Sequence, residues 1–378
     1  MGITVRQKGG YQAFIPKPLP PDPPLHFDDE LHHLLSEADR ALARLDGMTS
    51  VLPNADLFVA MYVKKEALLS SQIEGTQASL QGILQFEADM VPADNINDVK
   101  EVINYIRAMD EGLTRTDRGL FSAGILQEIH KILLSGTRGG KREPGKIRTV
   151  QNWIGPAGSD LHSATFVPPP PEKVPELLAD LESFIVAGDR IPPLIKIGLV
   201  HAQFETIHPF IDGNGRMGRL FITFYLCRKG ILARPLLYLS TYLKQHREEY
   251  YSLLQEIRIE GDWESWLKFF LTGIIEVSDE ALANAKEIIA LKERLVDTLV
   301  KNNAGGLTAV RLLDLLFTKP VVTVADISSS LGISHQPAYD LVNQFEKLEI
   351  LREITGKKRY KKYLFADYLR IIERGTGQ

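Results

Sequence analysis

The chain has 378 residues, of which 24% are charged and 44% hydrophobic, and its formal net charge is −4 at pH 7. These values are ordinary for a soluble globular protein, and they argue against a protein that binds nucleic acid through its overall charge. The single cysteine, Cys227, excludes an internal disulfide and a cysteine-based metal site; with no signal-peptide pattern and no membrane-spanning apolar run, we expect a cytoplasmic protein without membrane contact.

The N-terminal region, residues 1–95, begins with a proline-rich stretch. Prolines over residues 11–26 indicate an extended surface arm rather than a helix or a central strand. Apolar residues at helical spacing then predict a first helix over residues 28–45, which Gly47 should end. A second helix is predicted over residues 56–74, with Gly75 as the residue that stops it.

Glu74 stands in the last turn of that second helix. The negative end of the helix dipole disfavours a carboxylate there, so we expect Glu74 to have a cationic partner. Ser70 lies four residues earlier on the same face and should point toward the same partner.

The central region, residues 96–300, is predicted to be the core of the protein. Residues 97–134 indicate two helices, the second over residues 121–134, and His130 within it is interpreted as a packing residue. Residues 145–155 and 164–171 favour β structure, so they predict a small hairpin, although a plain connecting loop also fits. Helices over residues 176–187 and 194–207 follow.

The segment His208–Arg219 reads HPFIDGNGRMGR and is the densest in chemistry in the chain. It lies between two apolar helices, so the backbone N–H groups at the start of the second helix are free to bind an anion. Gly213 and Gly215 can adopt the positive φ angles that a concave nest of amides requires. A GxGxxG spacing ends at Gly218, but a helix rather than a strand precedes it, which argues against a dinucleotide fold.

Four charged or titratable side chains of this segment point to phosphate chemistry. Arg216 and Arg219 lie three apart on one face of the second helix and together suit a polyphosphate. Asp212 is a hard oxygen ligand of the kind that holds a hydrated Mg²⁺ ion. His208 can take a proton near neutral pH. A plain polar turn would explain the glycines but not these side chains.

The segment resembles the signature of Fic-domain proteins, HxFx(D/E)GNGRxxR, and matches it at every fixed position. The resemblance implies a mainly α fold, with a Fic-type helical core and a small β-hairpin flap. It implies transfer of AMP from ATP to a Ser, Thr or Tyr hydroxyl of a target protein, which the flap holds by strand addition, or of the protein itself. Related sites also move UMP, phosphate or phosphocholine, or remove AMP, and the spacing does not exclude these reactions.

The resemblance also implies a role for each motif residue. His208 is the catalytic base, and Asp212 holds Mg²⁺. The phosphates of ATP lie along Gly213–Arg219, where Asn214 orients the α-phosphate and Phe210 packs beneath the loop. The family has an adenine or ribose contact further on, and of the adjacent pair Tyr250 and Tyr251 the interpretation favours Tyr251, with core packing as the alternative.

Ser70–Gly75 resembles the inhibitory motif (S/T)xxxE(G/N) of the same family. Because the motif precedes the core, the resemblance implies the class with an N-terminal inhibitory helix. In that class Glu74 pairs with Arg219, so the arginine cannot grip the γ-phosphate and ATP binds in an unproductive pose. The alternative is an ordinary exposed glutamate at a helix end.

The rest of the chain contains more predicted helices and a second domain. One helix is predicted over residues 243–258, another after an N-cap at Asp262, and a long one over residues 275–300 that leaves the core. After a boundary at Asn302–Gly306, residues 301–378 indicate three helices and a β-wing, which is a winged helix.

A basic cluster in the predicted wing spans residues 357–362 and could contact DNA phosphates. The alternative is a domain that docks a target or forms a dimer, with the basic loop in solvent. The second hypothesis for the whole protein is therefore a DNA-binding transcriptional regulator that senses nucleotide. A homodimer is also expected.

Overall fold

The computed structural model describes residues 2–51, 55–88, 90–92, 94–115, 122–137, 143–156 and 158–374. These residues form a mainly α-helical fold, as the sequence predicts, with a two-stranded antiparallel sheet near the N-terminus and a three-stranded antiparallel sheet in the C-terminal part. Within the described ranges, none of the helices combines the length and the apolar composition that crossing a bilayer requires.

The N-terminus forms a hairpin that the sequence analysis did not predict. Strand β1 (Ile3–Arg6) pairs with β2 (Gln12–Ile15), and β2 ends where the prolines begin. The backbone N–H of Phe14 donates to the carbonyl of Val167 at 3.0 Å. The arm is therefore attached to the segment predicted to be the flap.

Two long helices differ from their predicted bounds. Helix α1 (Asp29–Val51) continues through Gly47, which is exposed and keeps a helical conformation. A glycine inside a helix costs only about 1 kcal/mol, which the buried face of α1 outweighs. Helix α11 (Trp263–Lys301) is one continuous helix, capped by Asp262 as predicted, and it packs along α1 instead of leaving the core.

The inhibitory-helix candidate is α2 (Ala55–Ile73), and Gly75 follows it with φ +93°. Helices α3 (Leu80–Glu87), α4 (Ile96–Arg115) and α5 (Ala123–Leu133) come next, so the two predicted helices of residues 97–134 are confirmed. The predicted start of the second at Phe121 lies outside the described residues.

The motif lies between α7 (Pro193–Ile207) and α8 (Asn214–Arg228), and α6 (Val174–Val186) precedes them. The predicted hairpin over residues 145–171 is held in its described part by a single antiparallel bridge, Ile154↔Phe166. It is less regular than predicted because the polar groups of residues 148–152 bond to the motif and to neighbouring carbonyls rather than to a second strand.

Residues 243–258 do not form one helix. They are divided between α9 (Ser240–Gln245) and α10 (Arg247–Ile259), because His246 adopts a non-helical conformation with φ −107° and ψ 37°. The break lets α9 pack against α2 while α10 packs against α7 and α11.

The C-terminal part has the predicted winged-helix layout. Thr323 and Asp326 form a reciprocal capping box at the start of its second helix. A short last helix was not predicted, and it contacts α2 and α11. The elements are α12 (Leu307–Thr318), β3 (Val321–Val322), α13 (Val324–Leu331), α14 (His335–Lys347), β4 (Arg352–Glu353), β5 (Tyr363–Leu364) and α15 (Ala366–Ile372).

Candidate active site

The motif loop begins at a strained turn that a buried arginine stabilises. His208 follows the last turn of α7 in a left-handed conformation, with φ 51° and ψ 60°. The side chain of Arg148, only 1% exposed, donates from Nε to the His208 carbonyl at 2.8 Å and from Nη2 to the Pro169 carbonyl at 2.6 Å. Asn152 Nδ2 donates to the Phe210 carbonyl at 2.9 Å. The predicted flap and the motif loop are thus one hydrogen-bonded unit.

Asn214 closes the loop on itself. Its Oδ1 accepts from the backbone N–H of Phe210 and its Nδ2 donates to the Phe210 carbonyl, both at 2.9 Å. The amide was predicted to orient a phosphate, but both of its ends bond within the loop. The backbone N–H of Asn214, at the start of α8, is what this residue can offer to an anion.

His130 supports the same loop from α5. The backbone N–H of Gly145 donates to Nδ1 at 2.8 Å, so the proton is on Nε2, which donates to the Asp212 carbonyl at 2.9 Å. The ring stacks on Phe210 with centroids 3.8 Å apart. Burial lowers the pKa of His130 to about 4, so the ring stays neutral. It packs, as the sequence analysis expected, and it also positions Asp212.

The three motif glycines serve different needs. Gly213 has a positive φ of 78°, as predicted. Gly215 does not, because it already belongs to α8; there a Cβ atom would lie 2.2 Å from Oε1 of Glu74. At Gly218 a Cβ atom would lie 2.6 Å from Oε1 of Glu205. The last two glycines therefore allow carboxylates to approach the helix backbone.

His208 is held as a neutral imidazole. Its Nδ1 lies 3.3 Å from the Glu205 carbonyl, which assigns the proton to Nδ1 and leaves Nε2 as a proton acceptor. Burial lowers the pKa of His208 to about 4, and the nearby positive charge of Arg258 adds to the shift. The imidazole can therefore accept a proton throughout the neutral pH range.

Arg219 is the cationic partner that the sequence analysis expects for Glu74. It is 2% exposed, its Nη2 lies 2.7 Å from Glu74 Oε1, and it also donates to the hydroxyl and the carbonyl of Ser70, at 2.8 and 2.9 Å. Burial opposes ionisation of Glu74, but the guanidinium outweighs burial and lowers the pKa of Glu74. Ser70 and Arg219 are thus buried together, and Glu74, whose side chain is 34% exposed, closes this charged cluster on the cavity side.

Arg216 and Asp212 lie on the neighbouring side of α8. Arg216 is 5% exposed, and its Nη2 lies 3.6 Å from Asp212 Oδ1. Among the described residues, Nε and Nη1 of Arg216 and Nη1 of Arg219 are buried without a hydrogen-bond partner. Buried donors of this kind are costly, and a bound phosphate would satisfy them.

The motif offers one acidic side chain, that of Asp212, to a Mg²⁺ ion. Within the described residues, no group of three or more His, Cys, Asp or Glu side chains could hold a metal. The Asp212 side chain is 31% exposed, and its Oδ1 also accepts from the N–H of Gly213 at 2.7 Å. One accessible carboxylate beside a phosphate site fits Mg²⁺, which binds few protein ligands and keeps several waters.

A cavity of about 560 Å³ opens between the flap segment, the motif and α10. His208, Gly215, Arg219 and Glu74 line one side of it, and Tyr251, which is 36% exposed, lines the other. The adjacent Tyr250 is 1% exposed and its hydroxyl is 2.9 Å from Nε2 of His201 in the core. Of the two tyrosines, Tyr251 has the accessible ring.

The sequence analysis missed Arg148, Asn152 and Glu205. Glu205 is 6% exposed, lines the cavity, and its Oε1 has no hydrogen-bond partner among the described residues. Burial raises its pKa to about 7. Its position three residues before His208 was the available signal, but a polar residue in an apolar helix does not show on its own which way it faces.

Comparison with known proteins agrees with this geometry. The Fic/DOC family N-terminal model matches residues 32–114, the Fic/DOC family model matches residues 120–226, and a helix-turn-helix DNA-binding domain model matches residues 310–363. A solved Fic family protein from Desulfovibrio desulfuricans G20 has a TM-score of 0.58 at 21% identity, and the alignment covers 91% of this chain and 98% of that one. This likeness confirms the fold.

Two curated relatives are protein adenylyltransferases by name. Protein adenylyltransferase fic-1 of Caenorhabditis briggsae is 29% identical over 204 residues, which is 52% of this chain and 37% of that protein. The probable protein adenylyltransferase aq_aa38 of Aquifex aeolicus is 30% identical over 205 residues, 53% of this chain and 56% of that protein. The alignments therefore span about half or less of each relative.

The two Fic/DOC models together match about half of the chain, and they include the whole motif and both residues of the Ser70 and Glu74 pair. The solved relative extends the same fold over most of the remainder. This chain belongs to the Fic/DOC family.

Proposed function

We propose that this chain is a protein adenylyltransferase, which transfers AMP from ATP to a Ser, Thr or Tyr hydroxyl of a target protein. The observation that carries the proposal is one cavity that joins the neutral imidazole of His208 to the buried guanidinium of Arg219. This reaction needs a proton acceptor for the target hydroxyl and, beside it, hydrogen-bond donors that bind a polyphosphate. The adenylyltransferase names of the relatives support the same activity.

The transfer breaks one phosphorus–oxygen bond and forms another. The target hydroxyl oxygen attacks the α-phosphorus of ATP, and the bond from that phosphorus to the bridging oxygen breaks, so pyrophosphate leaves. The hydroxyl proton passes to Nε2 of His208, which burial keeps neutral and ready to accept it. The flap segment, hydrogen-bonded to the motif loop through Arg148 and Asn152, would hold the target backbone at a fixed distance from this nitrogen.

The remaining motif residues bind and neutralise the phosphates. The amides at Gly213–Gly215 meet the phosphates at the start of α8, while Gly218, one turn further on, leaves room for the side chain of Glu205. The unsatisfied donors of Arg216 and Arg219 bind their oxygens. Asp212 would hold a Mg²⁺ ion, which supplies charge neutralisation on the departing pyrophosphate.

Glu74 would inhibit this reaction. Its carboxylate holds Nη2 of Arg219 at 2.7 Å, so only Nη1 of this arginine has no partner when ATP arrives. Ser70 fixes the same guanidinium from the side. A γ-phosphate must replace Glu74 before ATP can lie productively, which makes activity depend on how often Glu74 leaves.

Labelled nucleotides test the reaction and separate it from its alternatives. The Glu74→Gly variant incubated with a cell lysate should label more protein than the Glu74→Gly, His208→Ala variant does when ATP carries the label on the α-phosphorus. With γ-labelled ATP, which kinases of the lysate also use, the two variants should give equal labelling. An excess from the γ-position would indicate phosphate transfer, and an excess from α-labelled UTP would indicate UMP transfer. Mass spectrometry of the labelled proteins identifies the target and the modified residue, and it also shows any self-modification. Absence of any α-label would contradict the proposal.

The C-terminal module favours a second ligand, duplex DNA. It matches a helix-turn-helix model, and its wing exposes Lys357, Lys358, Arg359 and Tyr360, the last 90% exposed. Binding of the full chain to a labelled duplex should weaken steeply with salt and fall further in a Lys357→Glu, Lys358→Glu variant. No binding at low salt would contradict this. A regulator that only senses nucleotide is not favoured, because the relatives are named as adenylyltransferases. The expected homodimer and cytoplasmic location stay predictions.

A further inference from the structure

Helix α2 is held on two opposite faces. Glu66, Ser70 and Glu74 are spaced four apart, so they share the face that meets Arg219. Lys65 lies nine residues before Glu74, which is two and a half helical turns, or roughly 13 Å along the axis, and half a turn round the helix. Lys65 therefore faces away from the site.

The face of α2 that carries Glu66, Ser70 and Glu74 is anchored in the core. Oε1 of Glu66 accepts from the hydroxyl of Ser240 at 2.5 Å and from the hydroxyl of Tyr105 at 3.2 Å, while Oε2 accepts from the N–H of Ser240 at 3.1 Å. The side chain is 3% exposed. These bonds hold the middle of α2 at the start of α9, one turn before Ser70.

The opposite face of α2, which carries Lys65, is anchored by the C-terminal module, residues 307–374. The ammonium of Lys65 is fully buried, lies 3.0 Å from Oε1 of Glu280 on α11, and donates to the carbonyl of Arg374 at 2.6 Å. It also lies 4.3 Å from the centre of the Tyr238 ring. The carbonyl belongs to the turn just after α15, so the C-terminal end of the described chain closes over α2.

The module makes further contacts that hold this end in place. Both guanidinium nitrogens of Arg374 pair with the carboxylate of Glu287 on α11, one of them at 2.8 Å. Helices α12 and α15 both pack against α2. Lys362 of the wing segment donates to the carbonyl of Ala88, just after α3. The module thus contacts α2 and the segment that follows it.

We propose that the C-terminal module holds α2 in its inhibitory position, with Lys65 as the positioning residue that transmits this contact to Glu74. The inference rests on the proposed inhibition by Glu74. Glu74 reaches Arg219 only while α2 is packed against the core, and the contacts of Lys65 hold α2 from its opposite face. Weakening that contact raises the fraction of molecules in which Arg219 is free to bind ATP. The C-terminal module is then a regulatory domain of the transferase.

The Lys65→Met variant tests this role. Methionine keeps the length and apolar stem of lysine and removes the ammonium, and Glu280, whose side chain is 33% exposed, can turn to solvent. We expect self-labelling from α-labelled ATP to rise about fivefold or more over the wild type. In the Glu74→Gly background the same change should have no effect, because no inhibitory carboxylate remains to be released. A residue needed only for folding would lower labelling in both backgrounds.

Two further variants control for indirect effects. Arg374→Ala removes an exposed ion pair that holds the end of α15, so it should fold and raise labelling by a smaller factor than Lys65→Met. Lys268→Met breaks a 2.7 Å contact of Lys268 with Asp28, which joins α11 to the start of α1 and involves neither α2 nor the C-terminal module, and should leave labelling at the wild-type rate. Wild-type rates in both Lys65→Met and Arg374→Ala, with unchanged thermal melting, would overturn the proposal.

A second measurement separates this inference from the proposed reaction. If Glu74→Gly shows no transferase activity, the reaction is wrong, but the contact of the module with α2 can still be measured by amide hydrogen exchange. Exchange over residues 66–75 should be faster in Lys65→Met than in the wild type or in Lys268→Met. Equal exchange in all three proteins would exclude the positioning role.

Discussion

The motif loop and the contact of Glu74 with Arg219, which we propose is inhibitory, meet at the same cavity, but different interactions hold them. Arg148, Asn152 and His130 bond to backbone carbonyls of the loop, and Asn214 bonds both ends of its amide to Phe210. A charged pair of side chains makes the inhibitory contact, helped by one serine. A phosphate cannot replace the first set of bonds, but it can replace a carboxylate on a guanidinium. The loop is therefore preorganised, whereas the contact of Glu74 with Arg219 can be displaced.

The largest expected effect is at the reacting nitrogen. In the Glu74→Gly background, His208→Ala should lower the rate of labelling from α-labelled ATP by about a hundredfold or more, because the proton acceptor is removed. Initial rates of self-labelling measure it. His33→Ala, which removes an exposed imidazole from α1, is the matched control and should keep the parent rate. Labelling that survives in His208→Ala would contradict the assigned base.

The next effect is a gain at the inhibitory contact. Glu74→Gly should raise labelling by about tenfold or more, because Arg219 loses its competing carboxylate. Glu74→Gln keeps the shape of the side chain and a weaker hydrogen bond, so its labelling rate should lie between those of Glu74→Gly and the wild type. ATP affinity measured by calorimetry should rise from the wild type through Glu74→Gln to Glu74→Gly. Equal rates for all three proteins would remove Glu74 from regulation.

A smaller loss is expected where the flap segment joins the loop. Arg148→Met removes the donors that hold the His208 carbonyl, so the imidazole loses its fixed position and labelling should fall about tenfold. Lys146→Met is the control, because Lys146 lies two residues before Arg148 and its ammonium contacts only the exposed carboxylate of Glu143 among the described residues. If both variants kept the parent rate, the loop would not depend on this support.

The smallest effect is expected from pH. Burial lowers the pKa of His208 to about 4, so the base is already deprotonated at pH 5.5 and activity should be lost only as pH falls toward 4. In a Glu74→Gly, Glu205→Gln variant, which lacks the cavity carboxyl whose pKa burial raises to about 7, kcat/KM should change less than about twofold between pH 5.5 and 7.5, where an ordinary histidine would titrate. A decline with a midpoint near 6.5 would show that the imidazole is more solvated than its packing suggests.

The sequence determined the local features of this protein. Helix spacing predicted most helices and the winged-helix layout, Gly75 and Asp262 were correctly read as helix ends, and a misplaced glutamate indicated a cationic partner. These features depend on residues within one or two turns of each other, where periodicity and capping act. The motif spacing likewise identified which side chains could meet at one phosphate site.

Only the tertiary structure decided how the site is supported and restrained. Arg148 lies 60 residues from the carbonyl it holds, His130 lies 82 from Asp212, and Lys65 lies 309 from Arg374. No local pattern marks such a partner, because a buried histidine or arginine looks the same in sequence whichever carbonyl it meets. The continuous helix α11 has the same origin: packing along α1 stabilises a length that local spacing divides in two.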